Sequence, residues 1–325
     1  MRGLQLGADV EELELTGNRL DEGEAAVVLE EWAGAGLRLA SLQLRKNLLE
    51  GAARLTACTA CATLTALVLR DNMLKEVPPL AAMAQLRHLD VSYNEIRSTA
   101  PLAEAPACLE ELFLARNKIR TIEGVASRER LRILELGSNR LRTMAGLENL
   151  SALVELWLGS NKITSIDEAV LRAMPKLRRL SVQANRLTSC VALRACALAG
   201  EGGSGAPLEE LCLSQNGLTR LEGLEGLPVL LLDAADNPIE SLDGLNRLPQ
   251  LEDLWLNDTK VPVEALDSLA EALAASRQTL STVYLERSPA AGSPLYQQRL
   301  IDALPALRQI DAQVLPRHGK RTAGS

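Results

Sequence analysis

Aromatic residues are scarce in this chain of 325 residues: three Trp, three Tyr and one Phe make up only 2% of it. Ordinary globular cores use large rings to fill irregular space, so this core must be filled by something more regular. Histidine is scarcer still, with two residues, His88 and His318. The sequence therefore offers little material for acid–base catalysis.

Long apolar runs and an excess of positive charge are absent too. No apolar stretch approaches the roughly 18 residues of a membrane span, and the opening residues, MRGLQLGADVEELEL, contain no basic cluster leading into an apolar segment. We therefore expect no secretory signal and no membrane partner. Acidic residues outnumber basic ones by 42 to 35, which gives a formal charge of -7. A chain of this charge is not expected to bind nucleic acid.

What the chain does contain is one nine-residue phrase, LxxLxLxxN, repeated twelve times. Its copies begin at residues 10, 39, 64, 86, 109, 131, 153, 177, 208, 229, 251 and 280. This pattern at a period of 21 to 31 residues is the signature of leucine-rich repeats. It predicts a curved α/β solenoid with a parallel sheet on the concave face and short helical or 3₁₀ segments on the convex face.

The ends of the solenoid differ from its middle. Residues 21–36 have helical spacing, which predicts a true convex helix in the first repeat. Residues 293–311 read as a short helix and a closing strand. We therefore predict a solenoid of about twelve units over 1–288, a leucine-rich-repeat cap over 289–315 and a flexible tail over 316–325.

The asparagine at the ninth place stands where the chain must turn. Its amide can hydrogen-bond backbone groups that the turn leaves unpaired. In the last two copies Thr259 and Ser288 replace it. The glycine-rich segment at 200–207 lacks the features of a phosphate-binding loop and is predicted to be a flexible insertion.

Side chains at the third and fifth places of each phrase face away from the leucines, onto the concave surface. Nine of these 24 places are acidic: Glu12, Glu14, Asp90, Glu111, Glu135, Glu155, Glu210, Asp233 and Asp253. Only Arg179 carries a fixed positive charge there. The concave face is thus expected to favour a partner that presents lysines and arginines.

Four of the seven aromatic residues occupy fifth places: Phe113, Trp157, Trp255 and Tyr284. Rings suit any β-surface, but that preference does not explain why they avoid the rest of the chain. Exposed rings flanked by acids are typical of a protein-binding hot spot.

No constellation in the sequence predicts catalysis, a metal site or a cofactor. Cys58 and Cys61 have the spacing of metal ligands but no second pair, so the six cysteines are interpreted as small core residues without disulfides. His88 lies beside Asp90 on the concave face, yet no nucleophile can be placed with them, and a solvated surface histidine is the better interpretation. We expect a protein that is not an enzyme.

Several phrases, from about residue 39 to 315, are similar to one known family. LRILELGSNRLR, LWLGSNKIT, LSVQANRLT, LWLND, TVYLERSP and ALPALRQIDA resemble the leucine-rich-repeat regulatory subunit 7 of protein phosphatase 1. The resemblance implies a non-catalytic subunit that binds the phosphatase catalytic subunit with its concave face. The implied partner-binding residues are Asp90, Phe113, Glu135, Trp157, Asp233, Asp253, Trp255 and Tyr284.

The resemblance also implies a place in the nucleus and cytoplasm, and it leaves room for a further regulatory subunit as a partner. The effect on the phosphatase would be on its activity, assembly or localisation. Two departures from the family's pattern are visible: the acidic N-terminal extension is missing, and the first repeat is longer than usual. The alternative is a leucine-rich-repeat scaffold of another complex, of the splicing or axonemal class.

Overall fold

The computed structural model describes residues 9–198 and 206–316. All but the first residue of the predicted flexible tail over 316–325, and most of the predicted insertion over 200–207, lie outside the described residues. Within them, the chain forms two compact units. Unit 1 comprises 9–163 and 169–177, and unit 2 comprises 164–168, 178–198 and 206–316. The predicted boundaries at 288 and 315 stay predictions.

Unit 1 contains seven short parallel strands among its described residues, each covering the third to fifth places of a phrase. They are β1 (Glu12–Glu14), β2 (Ser41–Gln43), β3 (Ala66–Val68), β4 (His88–Asp90), β5 (Glu111–Phe113), β6 (Ile133–Glu135) and β7 (Glu155–Trp157). Each pairs with the next in sequence, and equivalent places stand opposite one another, as Leu112 does to Leu134. The predicted parallel leucine-rich-repeat sheet is confirmed.

Unit 2 continues the same pattern and ends in a short hairpin. Its described strands are β8 (Arg179–Ser181), β9 (Glu210–Cys212), β10 (Leu231–Asp233), β11 (Asp253–Trp255), β12 (Thr282–Tyr284), β13 (Gln309–Ile310) and β14 (Gln313–Val314). All pairs are parallel except the last, in which β14 runs antiparallel to β13. Residues 293–311 supply a helix and β13, as predicted; β14 was not predicted.

The helical segments are short except in the first repeat. They are α1 (Glu22–Gly34), α2 (Ala53–Thr56), α3 (Glu168–Arg172), α4 (Arg194–Leu198), α5 (Leu269–Ala272) and α6 (Tyr296–Ala303), with 3₁₀ turns such as Ala100–Glu104. α1 is the helix expected from 21–36. It begins at a capping box in which Asp21 and Glu24 each accept the other's backbone N–H.

The leucines of the phrase fill the interior, as the alternation of strand side chains requires. Leu112, Leu134 and Leu156 at the fourth place are all 0% exposed. Identical branched side chains stacked at one strand spacing leave no irregular gap, which is why so few rings suffice.

The ninth-place asparagines tie each repeat to the one before it. Asn117 is buried; its Nδ2 donates to the carbonyls of Val91 and Leu114 at 3.0 Å, and its Oδ1 accepts from the Ile96 N–H at 2.9 Å. Asn94, Asn139, Asn161 and Asn237 repeat the arrangement. The predicted role of the asparagine in the turn is confirmed.

The residue before each asparagine adopts a left-handed backbone conformation, which the sequence did not reveal. The twelve eighth places all have φ between 51° and 74°: Gly17, Lys46, Asp71, Tyr93, Arg116, Ser138, Ser160, Ala184, Gln215, Asp236, Asp258 and Arg287. Only the first is glycine, so the backbones of the other eleven residues are held in a conformation that L-residues normally avoid.

At the end of unit 2 the junctions change. The Thr259 hydroxyl donates to Leu256 O and the Ser288 hydroxyl to Leu285 O, each at 2.6 Å, so these side chains reach only their own repeat. Asp311 completes the closure: its Oδ1 accepts the N–H groups of Leu285 at 2.8 Å and Glu286 at 2.9 Å. The Tyr296 hydroxyl also donates to Asp311, and burial, together with that carboxylate, raises the pKa of the tyrosine.

Candidate functional site

From β4 to β7 of unit 1 the fifth places form an alternating row of acids and rings, because neighbouring parallel strands are in register. Asp90 stands opposite Phe113, Phe113 opposite Glu135, and Glu135 opposite Trp157. At a strand separation of about 4.8 Å, each acid therefore lies beside a ring. Phe113, Glu135 and Trp157 are half-buried and project away from the fully buried leucines of their strands.

The acids of this row fold back onto their own turns. Asp90 Oδ1 accepts the N–H of Ser92 at 2.9 Å, and Glu135 Oε1 accepts the N–H of Gly137 at 2.6 Å. Asp90 is consequently only 7% exposed, which corrects the expectation that every fifth-place acid is open to solvent. A short carboxylate at a strand end readily caps the backbone two residues on. Burial raises the pKa of Glu135, and the Gly137 N–H opposes the rise.

Third-place side chains support the rings of unit 1. His88 is half-buried: its ring lies 5.2 Å from that of Phe113, and its Nδ1 is 2.8 Å from Glu111 Oε2. The sequence suggested that His88 is a solvated surface histidine. The structure shows instead that it packs on Phe113 and lies within hydrogen-bond distance of Glu111. Trp157 Nε1 donates to Glu155 Oε2 at 3.2 Å. The third-place side chains, which lie on the same outward face as the rings, thus hold Phe113 and Trp157 in their orientations.

In unit 2 the corresponding row places two rings side by side. Asp233, Trp255 and Tyr284 are in register on β10, β11 and β12. The rings of Trp255 and Tyr284 meet edge to face with centroids 5.8 Å apart, and the Tyr284 hydroxyl accepts from Gln309 Nε2 at 2.5 Å. Trp255 is 37% exposed, whereas Asp253, at the third place of the same strand, is half-buried.

Asp233 shows the same backbone capping as its counterparts in unit 1. Its Oδ1 accepts the N–H of Ala235 at 3.1 Å, and its Oδ2 accepts the Ser214 hydroxyl at 2.7 Å, which leaves the residue 8% exposed. This is a second correction to the expected solvent exposure of fifth-place acids. The Asp233 carboxylate therefore adds negative charge to the outward face of the strands, although both of its oxygens already accept hydrogen bonds from this chain.

An open depression of about 400 Å³ lies over this part of unit 2. It is lined by Ser214, Asp233, Ala235, Asp236, Trp255, Asn257, Tyr284 and Glu286. Two rings and three carboxylates with no lysine or arginine in the lining make a receptor for a cationic side chain, held by charge and by stacking on a ring face.

Sequence reasoning missed the acids of this depression that follow the strands. Asp236 and Glu286 stand at the eighth and seventh places of their phrases, beyond the two places counted as outward-facing. A count that extended over the turn would have found them. Arg179, the one fixed positive charge of the rows, is paired with Glu210: its Nε is 3.0 Å from Oε1.

The cysteines do not form a site. All six are free thiols; Cys58, Cys61, Cys190 and Cys196 are buried, while Cys108 and Cys212 are half-buried and so depart from the core position expected of them. Burial, and then the neighbouring Cys58, raise the pKa of Cys61 to about 12.

Over 9–198 and 206–316, no group of three or more His, Cys, Asp and Glu side chains is arranged to hold a metal ion. In the same part of the chain, none of the helices has both the length and the apolar character that crossing a bilayer requires.

Comparison with known proteins agrees with this architecture. The leucine rich repeat family model matches residues 129–187. The protein phosphatase 1 regulatory inhibitor subunit PPP1R7 homolog of Arabidopsis thaliana is 37% identical over 314 residues, which cover 96% of this chain and 90% of that protein. The chain belongs to the family of protein phosphatase 1 regulatory subunit 7.

A second member of the phosphatase regulators, the protein phosphatase 1 regulatory subunit pprA of Dictyostelium discoideum, is 38% identical over 80 residues, 25% of this chain and 22% of that protein. Among solved structures, an internalin, InlF, of Listeria monocytogenes has a TM-score of 0.65 at 18% identity and covers 93% of this chain and 86% of its own. That likeness shows the leucine-rich-repeat fold alone.

Membership places this chain among regulatory subunits, as the sequence predicted. Because its relatives are named as regulatory subunits and its fold is a leucine-rich repeat, the protein is not an enzyme. The strand rows are therefore considered as binding surfaces.

Proposed function

We propose that this protein binds the catalytic subunit of protein phosphatase 1 through the acidic and aromatic rows of its strands. The observation that carries the proposal is the register of those rows: rings and carboxylates occupy successive fifth places in a chain 37% identical to a protein named as a phosphatase regulatory inhibitor subunit. The proposed contact residues are Asp90, Phe113, Glu135, Trp157, Asp233, Asp253, Trp255 and Tyr284.

The chemistry of the rows suits a surface rich in lysine and arginine. Rings supply large contact area, and neighbouring carboxylates supply charge that steers and orients a cationic partner. Trp255 is the most exposed ring of the two rows, and it borders the depression that lacks any cation in its lining. An arginine or lysine stem entering there would contact Trp255 and Tyr284 and meet the carboxylate of Asp236, whereas Glu286 is already paired with Arg287 of this chain.

Binding of this kind controls the enzyme without adding chemistry of its own. The proposed role is control of phosphatase activity, assembly or localisation in the nucleus and cytoplasm, with room for a further regulatory subunit on surfaces that the rows leave open. A fluorescent fusion observed in living cells tests the location: exclusion from both compartments contradicts it.

Calorimetric titration of the purified chain with the phosphatase catalytic subunit tests the binding. Trp157→Ala and Trp255→Ala are each expected to weaken binding by about 2 kcal/mol, because truncating a buried interface ring commonly costs that much. Val263→Ala is the matched control: Val263 is 44% exposed on a 3₁₀ segment of unit 2 and stands outside both rows. Unchanged affinity in either tryptophan variant contradicts the proposed interface.

An affinity purification distinguishes this role from the alternative scaffold role. Recovery of the phosphatase catalytic subunit, lost in the Trp157→Ala and Trp255→Ala variants, supports the proposal. Recovery of RNA-binding proteins or dynein chains without any phosphatase favours a splicing or axonemal scaffold instead.

A further inference from the structure

A second surface of unit 1, beside the strand rows, carries the opposite charge. It is formed by the turns that follow β2 to β5, at the seventh to tenth places of the phrase. We name it the cationic edge and define it as Arg45, Lys46, Arg70, Met73, Tyr93 and Arg116. The four repeats have one seventh and one eighth place each. Four of these eight residues are arginine or lysine, and only Asp71 is acidic.

Backbone hydrogen bonds stack these turns on one another. The N–H of Lys46 donates to Arg70 O at 3.1 Å, and the N–H of Tyr93 donates to Ala115 O at 2.7 Å. Because the eighth residue of each repeat is bonded to the seventh residue of the next, the cationic side chains rise from one continuous edge.

Two arginines of the edge are arranged around one ring. The guanidinium carbon of Arg70 lies 4.2 Å from the centroid of the Tyr93 ring, and that of Arg116 lies 5.0 Å from it. Within residues 9–198 and 206–316 the structure shows no carboxylate salt bridge to either arginine. Stacking on the ring thus orders two guanidinium groups whose N–H donors are not engaged by an acid of this chain, and such groups favour bidentate carboxylate partners.

The cationic edge also exposes apolar side chains. Met73 is 37% and Tyr93 36% exposed, and Leu48 beside them is 46% exposed. These three belong to consecutive repeats, and the described residues contain only seven exposed large hydrophobic side chains in total. Clustering of exposed apolar groups with arginines is typical of a protein-binding surface.

We propose that the cationic edge binds an acidic segment of a partner protein in which apolar side chains alternate with carboxylates. The carboxylates would meet Arg70 and Arg116, and the apolar side chains would cover Leu48, Met73 and Tyr93. A nucleic acid offers no aliphatic side chains to this surface, and a long polyanion would be repelled by the acids of the strand rows and by the net charge of -7. The inference is independent of phosphatase binding, since it uses a different surface.

Fluorescence anisotropy with a labelled twelve-residue peptide, made of three Asp-Phe-Glu-Leu repeats, tests the proposal on the full-length chain. The peptide is expected to bind, and its affinity to fall as salt is raised from about 50 to about 300 mM, as for any charge-assisted contact. A peptide with asparagine or glutamine in place of each acid, which carries no charge that the acidic strand rows would attract, is expected not to bind. Arg70→Ala and Arg116→Ala should each weaken binding about tenfold.

Two further variants separate the cationic edge from general electrostatics. Arg186→Ala removes the same charge from an exposed position of unit 2 and is expected to leave the peptide affinity unchanged. Tyr93→Leu keeps an apolar side chain but removes the ring that orders both guanidinium groups, and it is expected to weaken binding. Tyr93, Arg116 and Arg186 are exposed and Arg70 is half-buried, and none of them belongs to the leucine core, so circular dichroism should show unaltered folding in all variants.

Three results would overturn the inference. The first is equal binding, or no binding, of the acidic peptide and its uncharged amide counterpart. The second is an equal loss of affinity in Arg186→Ala and Arg116→Ala. The third is competition by a twelve-residue oligothymidylate, or by phosphatidylserine vesicles, as effective as that by unlabelled acidic peptide, which would identify a nucleic-acid or membrane ligand. Retained peptide binding in Trp157→Ala would show that the two surfaces act separately.

Discussion

Unit 1 and unit 2 are built from the same nine-residue phrase, yet they present different surfaces. In unit 1 acids and rings alternate along the fifth places of β4 to β7, and the turns around Tyr93 are cationic. In unit 2 two rings touch, and the turns beyond them carry Asp236 and Glu286. The inward places are interchangeable between the units, so the outward places are free to differ. Function in such a fold is encoded in side chains that contribute little to the core.

The last repeats of unit 2 are also joined differently from the repeats of unit 1. Buried asparagines bond across repeats throughout the middle of unit 1, and Asn237 does so in unit 2. Unit 2 ends instead with the hydroxyls of Thr259 and Ser288, which bond only within their own repeat, and with Asp311. An amide has enough donors and acceptors to serve two turns at once, and a hydroxyl has not. The last repeats therefore need the cap to satisfy their backbone.

The largest expected effect follows from that difference. Asn117→Ala leaves two carbonyls and one N–H without their buried partner, so we expect it to lower the free energy of unfolding by about 3 kcal/mol. Thr259→Ala removes one bond and should cost only about 1 kcal/mol. Urea denaturation of both variants measures the difference. Equal losses would mean that the bonds across repeats contribute nothing beyond the bonds within them.

The second prediction compares the ring pairs of the two units. A double-mutant cycle on Trp255 and Tyr284, measured as phosphatase affinity, should show a coupling of about 1 kcal/mol, because these rings touch. The same cycle on Phe113 and Trp157 should show a coupling below about 0.5 kcal/mol, because the strand of Glu135 separates them. Equal couplings would contradict the proposed difference between an alternating and a contiguous row.

The third prediction concerns Glu135, the half-buried acid between the rings of unit 1. The pKa of Glu135 is raised in the folded chain by burial, so the folded state holds this proton more tightly than the unfolded state does. Its contribution to stability is present at pH values below its unfolded pKa and is lost as the pH rises through its folded pKa. Glu135→Gln should therefore gain stability relative to the parent as the pH rises from about 4, the ordinary pKa of a glutamate, through the raised pKa of the folded chain.

Thermal unfolding across that pH range measures the effect. Glu12→Gln is the matched control, because it removes the same charge from an exposed place in β1. If Glu135→Gln is less stable than the parent at pH 7, the bond from the Gly137 N–H outweighs the cost of burying the charge.

The smallest expected effect concerns the left-handed eighth places. Ala184 has φ of 51°, so Ala184→Gly relieves strain and should raise the free energy of unfolding by a few tenths of a kcal/mol after the entropy of the unfolded chain is counted. Ala115→Gly, at a seventh place outside the set of positive-φ residues, should instead lower it by about 0.5 to 1 kcal/mol. Destabilisation by both changes would show that the strain at Ala184 is negligible.

The period of the phrase determined which faces of the chain are buried and which are open. LxxLxL fixes the parallel strands, the leucine core and the outward positions of Phe113, Trp157, Trp255 and Tyr284, because alternation along a strand leaves no other arrangement. It also indicated the ninth-place asparagines and the helix of the first repeat. These features depend on neighbours a few residues apart, which a sequence displays directly.

Only the tertiary structure decided what the outward side chains touch. Asp90 and Asp233 cap their own turns, Arg179 pairs with Glu210, and Tyr93 gathers two arginines. The partners of Arg179 and Tyr93 come from neighbouring repeats, 23 to 31 residues away in the chain. Side-chain torsions there are chosen by what the adjacent repeat presents, and no periodicity within a single repeat can specify that choice.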